Sequence, residues 1–443
     1  MRIHGRYLSH VSIALTVASV LLMSTASPQR AHAVTSFSRM YNMGCTACHT
    51  TMPRLNYFGE KLLLRGNELD RMTTADLPQQ HGEVTAGTRC TSCHNDGSEG
   101  EEVGAKKISP RLFLHKVSNL LSFRYKLTPL SVETNKLTEG GEKKTRVTAG
   151  KGDWVQFWVA GPITKNVTVR VEAELAEGKS VGLHNYAVAF SNLLGAKREG
   201  ALNLRVGGFT HGEWLSISDQ KRAFAPHFDV FELASARGSG EDAYKVAGAE
   251  PAVELYGYQG PFVYQVGVSN GKSASDVNSD LNYWGTAKLY LATQGAFAGS
   301  SVSASYSRGT DSKNSAQSTI QKDDFRRYII SGGLRRGPLD LAGAYVRGED
   351  DNWDLATGLQ NQFDGGFVQL LYTATDQLTP GFIYQRISSD DKNFEKHHLL
   401  MGVNYYLRQN IFFSTYYDHD LRSTSPAHPD RQHAFVVQFR GMF

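Results

Sequence analysis

"VTVRVEAEL", Val167–Leu175, puts Val167, Val169, Val171, Ala173 and Leu175 on one side of an extended chain and Thr168, Arg170, Glu172 and Glu174 on the other. Successive side chains of a strand point to opposite faces, so the segment has one greasy face and one charged face. "HLLMGVNYYLR", His398–Arg408, repeats the pattern, with Leu399, Met401, Val403, Tyr405 and Leu407 set against His398, Gly402, Asn404 and Arg408. A soluble sandwich and a membrane barrel share this alternation. The number of such segments, their connections and the end of the chain decide between them.

About sixteen segments of this kind follow position 108, beginning near Leu112, Trp154, Val167, His184, Leu202, Ala252, Phe262, Tyr283, Phe297, Phe325, Leu339, Phe367, Phe382, His397, Ile411 and His433. Short connections such as Gln259–Gly260, Arg336–Gly337 and Gln409–Asn410 alternate with longer polar ones, Thr128 to Asp153 and Thr210 to Pro251 among them. The chain closes on "HAFVVQFRGMF", where Phe435, Val437, Phe439, Gly441 and Phe443 make an apolar face opposite Gln438 and Arg440. Even strand number, short turns at one end and longer loops at the other predict an outer-membrane β-barrel over residues 108–443. The fold class expected is therefore mainly β. Lipid cannot hydrogen-bond a backbone, so the strands must close and the greasy faces must point outward. Arg170, Glu172, Glu174, Arg205, Gln265, Lys288, Gln438 and Arg440 are then expected in the lumen. The loop His211–Leu233 could fold into the mouth, although an ordinary outer loop is the simpler reading. His184, His211 and His227 read as solvated loop histidines.

The composition agrees: 43 Gly, 20 Tyr and 22 Phe in 443 residues, with a mean hydropathy of −0.36. Past the leader no apolar run approaches the roughly 20 residues of a spanning helix. A formal net charge of +4 gives no reason to expect a nucleic-acid partner. At the start, Arg2 and Arg6 precede an apolar run from Val11 to Met23 and a small-x-small "AHA" at Ala31–Ala33. Residues 1–33 therefore read as a secretory signal, and the expected destination is the outer membrane of a Gram-negative cell.

All four cysteines fall in two C-x-x-C pairs, Cys45/Cys48 and Cys90/Cys93, each followed directly by a histidine, His49 and His94. This is the pattern of c-type haem attachment. Two thiols three residues apart can reach the two vinyl groups on one edge of a porphyrin, and the next residue can ligate the iron. Local disulfides leave the repeated histidine unexplained, and a closed zinc tetrahedron has no use for it. Residues 34–107 are thus expected to form a small domain with two covalently attached haem c groups, bound by Cys45, Cys48, His49, Cys90, Cys93 and His94. Candidates for the far side of the irons are His81, His115, Met52 and Met72, with Met43 a further one. The segment has few aliphatics and too few residues for an ample core of its own. It is the obvious filler of the lumen, with the N-terminus on the periplasmic side or inside the barrel.

"FSRMYNMGCTACHTTMPRLNYFGEKLLLRG", Phe37–Gly66, resembles the haem motif of a family of outer-membrane cytochrome–porin fusions that includes iron-oxidising cytochromes. The match lies on Phe37, Arg39, Cys45, Cys48, His49, Pro53, Leu55, Asn56, Phe58 and Gly59. The resemblance implies an N-terminal haem domain before a porin barrel, with electrons passed between an extracellular donor or acceptor and a periplasmic c-type cytochrome or other soluble carrier. Members typically hold one haem, whereas this chain has a second site. Electron conduction, with Fe(II) oxidation as a specific form, is the leading expectation. A haem-plugged transport porin and a periplasmic dihaem enzyme of peroxidase type are the alternatives.

Overall fold

The computed structural model describes residues 48–52, 54–66, 120–136, 143–176, 181–218, 221–224, 227–235, 243–271, 280–314, 320–355, 358–391, 394–408, 410–423 and 430–442. The leader expected at 1–33, Cys45, Cys90, Cys93, His94, Met43, Met72, His81, His115, Phe37, Arg39, Pro53, Phe443 and the strand expected near Leu112 lie outside the described residues.

Sixteen antiparallel strands close on themselves. They are β1 (Leu121–Lys136), β2 (Lys143–Thr148 and, after a break, Trp154–Thr164), β3 (Val167–Ala176), β4 (Gly182–Phe190), β5 (Asn203–Thr210), β6 (Ala249–Gln259), β7 (Phe262–Ser269) and β8 (Asn282–Tyr290). The second half comprises β9 (Ser301–Asn314), β10 (Ile320–Arg336), β11 (Leu339–Asp354), β12 (Leu359–Tyr372), β13 (Leu378–Ser389), β14 (Lys396–Arg408), β15 (Ile411–Ser423) and β16 (Asp430–Met442). The two pieces of β2 pair with the upper and lower parts of β1 and count as one strand. Closure comes from β16 against β1, with Phe435 opposite Val132 and Arg440 opposite Lys126.

Period two governs the wall. Along β11 buried and exposed side chains alternate almost without interruption. Phe157, Val266, Ile330, Tyr345 and Met401, each about half exposed or more, belong to the outward set. Apolar side chains left bare at such regular intervals are costly in water and suited to lipid. Every residue expected in the lumen is there. Arg170 and Arg205 reach Glu213, Gln265 reaches the His211 carbonyl, and Lys288 reaches Glu60.

Three expectations need correction. The hairpins run further than the hydrophobic pattern does: Thr128–Asp153 contains the end of β1 and the first part of β2, and β9–β10 and β11–β12 extend through stretches read as loops. Above the bilayer, outward side chains meet water, so Lys322, Asp324, Arg326 and Arg347 sit on paired strands with no greasy face to betray them. The strand expected from Phe297 begins instead at Ser301, after a short 3-10 turn at Gly295–Phe297.

The third correction is the connection between β5 and β6, which turns inward. Trp214, Leu215, Ile217, Phe224, Phe228 and Phe231 are buried against inner-face side chains of the wall. Phe228 stacks on Phe367 with ring centroids 3.6 Å apart. Burying each such ring contributes about 1.5–3 kcal/mol, and with the wall residues around them they form a packed apolar core inside the barrel. His211, read as solvated, is buried with its ring stacked 3.8 Å from that of Trp284. His184 and His227 are exposed as expected.

Candidate functional site

Residues 48–66 lie inside the barrel, at the end where the strand connections are tightest. His49–Thr51 and Arg54–Leu55 form a minimal antiparallel pair, and helix α1 (Tyr57–Leu64) follows. Asn56 caps α1: its Oδ1 accepts the Gly59 backbone N–H at 2.9 Å, and its own N–H donates to the Cys48 carbonyl at 2.8 Å. Gly59 passes so close to that carbonyl that a Cβ there would come within 2.2 Å of the Cys48 oxygen. Phe58, Leu62 and Leu64 are buried. The Leu-Asn-x-Phe-Gly element thus fixes the backbone of Cys48, directly before His49. Both residues are half-buried.

This geometry suits covalent haem attachment at Cys48 and His49. The thiol and imidazole that such a group needs come on consecutive residues of a backbone pinned at a helix start, and the Cys48 carbonyl leaves a side chain at position 59 no room without a shift of α1. A haem held there would supply a one-electron carrier. Met52, one of the candidates for the far side, packs with Tyr406, Phe412 and Met442.

Charge locks the segment to the wall. Arg54, fully buried, donates through Nε and Nη2 to Asp340 at 3.0 Å each, and through Nη1 to the Ser216 carbonyl of the inward loop at 3.3 Å. Arg335 donates to the Leu55 carbonyl at 2.7 Å, to Glu60 at 3.1 Å and to Asp340 at 3.4 Å. Glu60 also accepts from Lys288 at 2.6 Å and from the Tyr290 hydroxyl at 2.9 Å. Lys61 lies over the Tyr290 ring, and Thr168 on β3 donates to the Gly66 carbonyl at 2.8 Å. On the opposite side Thr51 meets the Tyr406 hydroxyl and Asn404, both at 2.8 Å.

Burial alone would raise the Glu60 carboxyl, but Lys288, Lys221, Arg335 and Arg54 hold it well below the usual carboxylate range. Burial pushes the Lys221 amine down to about 7, against the pull of Glu60. On the inward loop burial would likewise raise Glu213, yet Arg170 and Arg205 bring it to about 2. Burial, aided by Arg205, lowers His211 to about 3. Sequence reasoning missed Arg54, Glu60, Arg335 and Asp340, whose partnerships span more than two hundred residues. The one available signal was a short helix carrying Glu60 and Lys61 inside an otherwise apolar run.

No family model matches the chain, and no curated protein matches it. Solved structures do. An anion-selective porin from Comamonas acidovorans is similar with a TM-score of 0.52 at 11% identity, over 73% of this chain and 99% of that one. OmpF of Salmonella typhi, in complex with daunomycin, gives 0.52 at 12%, over 73% and 97%. The outer membrane channel DcaP of Acinetobacter baumannii gives 0.51 at 12%, also over 73% and 97%. At these identities the likeness is one of fold. It is the closed barrel of outer-membrane channels, and with its apolar outer face it places this chain in the lipid of a Gram-negative outer membrane.

Proposed function

We propose that this chain is a porin-type barrel closed by its own haem-bearing N-terminal segment, and that it passes electrons across the outer membrane. The observation that carries the reading is the position of Cys48 and His49. Half of a C-x-x-C-H pair stands in the lumen, on a segment that Arg54, Glu60, Arg335 and Asp340 bind to the wall. A bilayer insulates, so a conducting protein needs redox groups at membrane depth and polar backbone kept off lipid. The wall meets the second need. Two covalent haems, on Cys45, Cys48 and His49 and on Cys90, Cys93 and His94, would meet the first, within an N-terminal domain over residues 34–107. The partners on this reading are a periplasmic c-type cytochrome or other soluble carrier and an extracellular donor such as Fe(II), or an acceptor.

The comparisons favour a second reading more directly. The similar structures are channels, one of them named for anion selectivity, so a transport porin gated by the same plug has the closer structural company. Against free solute flow stand the buried inner-face side chains Gln369, Asn404 and Ser414, covered by the inward loop and the segment. A soluble periplasmic enzyme has no use for the lipid-facing belt. Liposomes carrying the haem-loaded protein, with Fe(II) outside and a haem protein entrapped, separate the two. Reduction of the entrapped protein with sugars retained is expected. Sugar efflux without electron transfer would hand the function to the transport reading.

A further inference from the structure

The lumen face where β16, β1 and β2 meet holds two cations, Arg440 and Lys126, with no carboxylate in ion-pair contact among the described residues. Arg440 on β16 stands opposite Lys126 on β1, Lys126 opposite Trp154 on β2, and Arg124 opposite Gln156. Arg440 is only 8% exposed, and its Nε has no hydrogen-bond partner. Aromatic faces hold the charges in place: Arg440 over Phe412 at 5.9 Å, Lys126 over Trp154 at 5.5 Å, and Arg124 over Trp154 at 4.9 Å and Trp158 at 5.2 Å. Arg222 of the inward loop is near enough to act on both Lys126 and Arg440.

Arg124 is already matched, its Nε and Nη2 donating to the Gln156 side-chain carbonyl with Glu172 as its ion-pair partner. Glu172 lies 3.7 Å from Arg124, Glu174 takes Gln156 and His184, and Asp153 accepts the Thr128 backbone N–H at 2.6 Å. Among the described residues no carboxylate lies within ion-pair distance of Lys126 or Arg440. Asp153 and Glu174 act on Lys126 only from beyond ion-pair distance, and a buried guanidinium beside an ammonium is costly unless an anion joins them. Arginine and lysine side by side suit an oxyanion, the arginine by its two parallel N–H donors.

We propose that Arg440 and Lys126 form a carboxylate-binding site on the lumen wall. The carboxylate has two possible sources. One is the propionate edge of a haem attached to this chain, which rests on the function proposed above; the other is a small free carboxylate in the lumen.

The test uses the full mature protein in detergent, with Lys126→Gln, Arg440→Gln and the double variant. Heat-modifiable gel migration verifies that each barrel has closed. Two measurements are made: succinate binding by calorimetry, and potentiometric titration of the haem absorbance. If the ligand is the chain's own propionate, one haem midpoint shifts downward in the variants, because removing cations favours the ferric form, and succinate binds neither protein. If it is a free carboxylate, succinate binding weakens about tenfold in the double variant, the loss expected for hydrogen bonds to a charged group, and the midpoints stay put. Unchanged binding and unchanged midpoints in closed barrels overturn the site. Protein that holds no haem removes only the first source, since succinate binding is still read.

Discussion

Two sides of one lumen treat charge in opposite ways. Where β8, β10 and β11 face the lodged segment, cations and anions interlock: Arg54 and Arg335 share Asp340, while Arg335 and Lys288 share Glu60. Where β16, β1 and β2 face the interior, Arg440 and Lys126 have aromatic rings and, among the described residues, no carboxylate within ion-pair distance. The first surface is complete with the described segment in place. The second is built as though something anionic belongs there. Buried charge is thus a gauge of what each surface expects to meet, since an unmatched ion far from water costs several kcal/mol.

The largest effect should come from unbalancing the complete side. Asp340→Asn leaves Arg54 and Arg335 facing an amide at a site only 2% exposed. Breaking a buried ion pair by removing one partner costs about 3–5 kcal/mol. The barrel should still form, since the apolar outer face and the strand ladder are untouched. The segment should come loose, read as new protease cleavage within residues 48–66 under conditions where the parent protein resists. A variant equally resistant would mean that the network ornaments the plug rather than anchoring it.

The same contrast shows what the sequence could reveal. Outward faces repeat every second residue, so the wall was legible from "VTVRVEAEL" and the C-terminal strand. Strands apolar on both faces carry a clue to a filled lumen. Phe367, Ile383, Ile387, Leu400 and Val436 point inward, and a water-filled lumen has no need of them. Their partners, Phe224, Phe228 and Phe231, sit in a loop without periodicity, where local pattern says nothing about direction. Of the segment in the lumen, the motif around Cys48 was visible as residue types, and the reason for Asn56 and Gly59 was not. Charge pairing was hidden altogether, because Arg54 and Asp340 meet across 286 positions of chain.

A smaller effect tests the motif itself. Gly59→Ala must push α1 away from the Cys48 carbonyl, because the added Cβ would overlap backbone and not the end of a flexible side chain. Overpacking of this kind typically costs about 1–3 kcal/mol. The ion network should hold the segment in place, so the expected result is a lower temperature for its protease release, without the outright loosening of Asp340→Asn. An unchanged release temperature would show that Cys48 is not positioned by α1.

Acid gives the mildest challenge, and its sign follows from Glu60. The docked carboxyl is held below its ordinary 4.5 by the surrounding lysines and arginines, after burial has pushed the other way. A released segment would return Glu60 to water. Between the docked value and 4.5 the released form therefore binds more protons, and docking strengthens as pH rises through that window. Above 4.5 the contribution is complete and flat; as pH falls it is progressively lost. Protease release should thus increase as pH falls below about 5 through Glu60, whereas any change between 7 and 5 belongs to Lys221, whose amine is held at about 7. Glu60→Gln separates this carboxyl from the other acids of the barrel. The variant should release more readily at neutral pH and show a weaker further response to acid. If its acid limb matches that of the parent protein, the proton that loosens the segment binds somewhere other than Glu60.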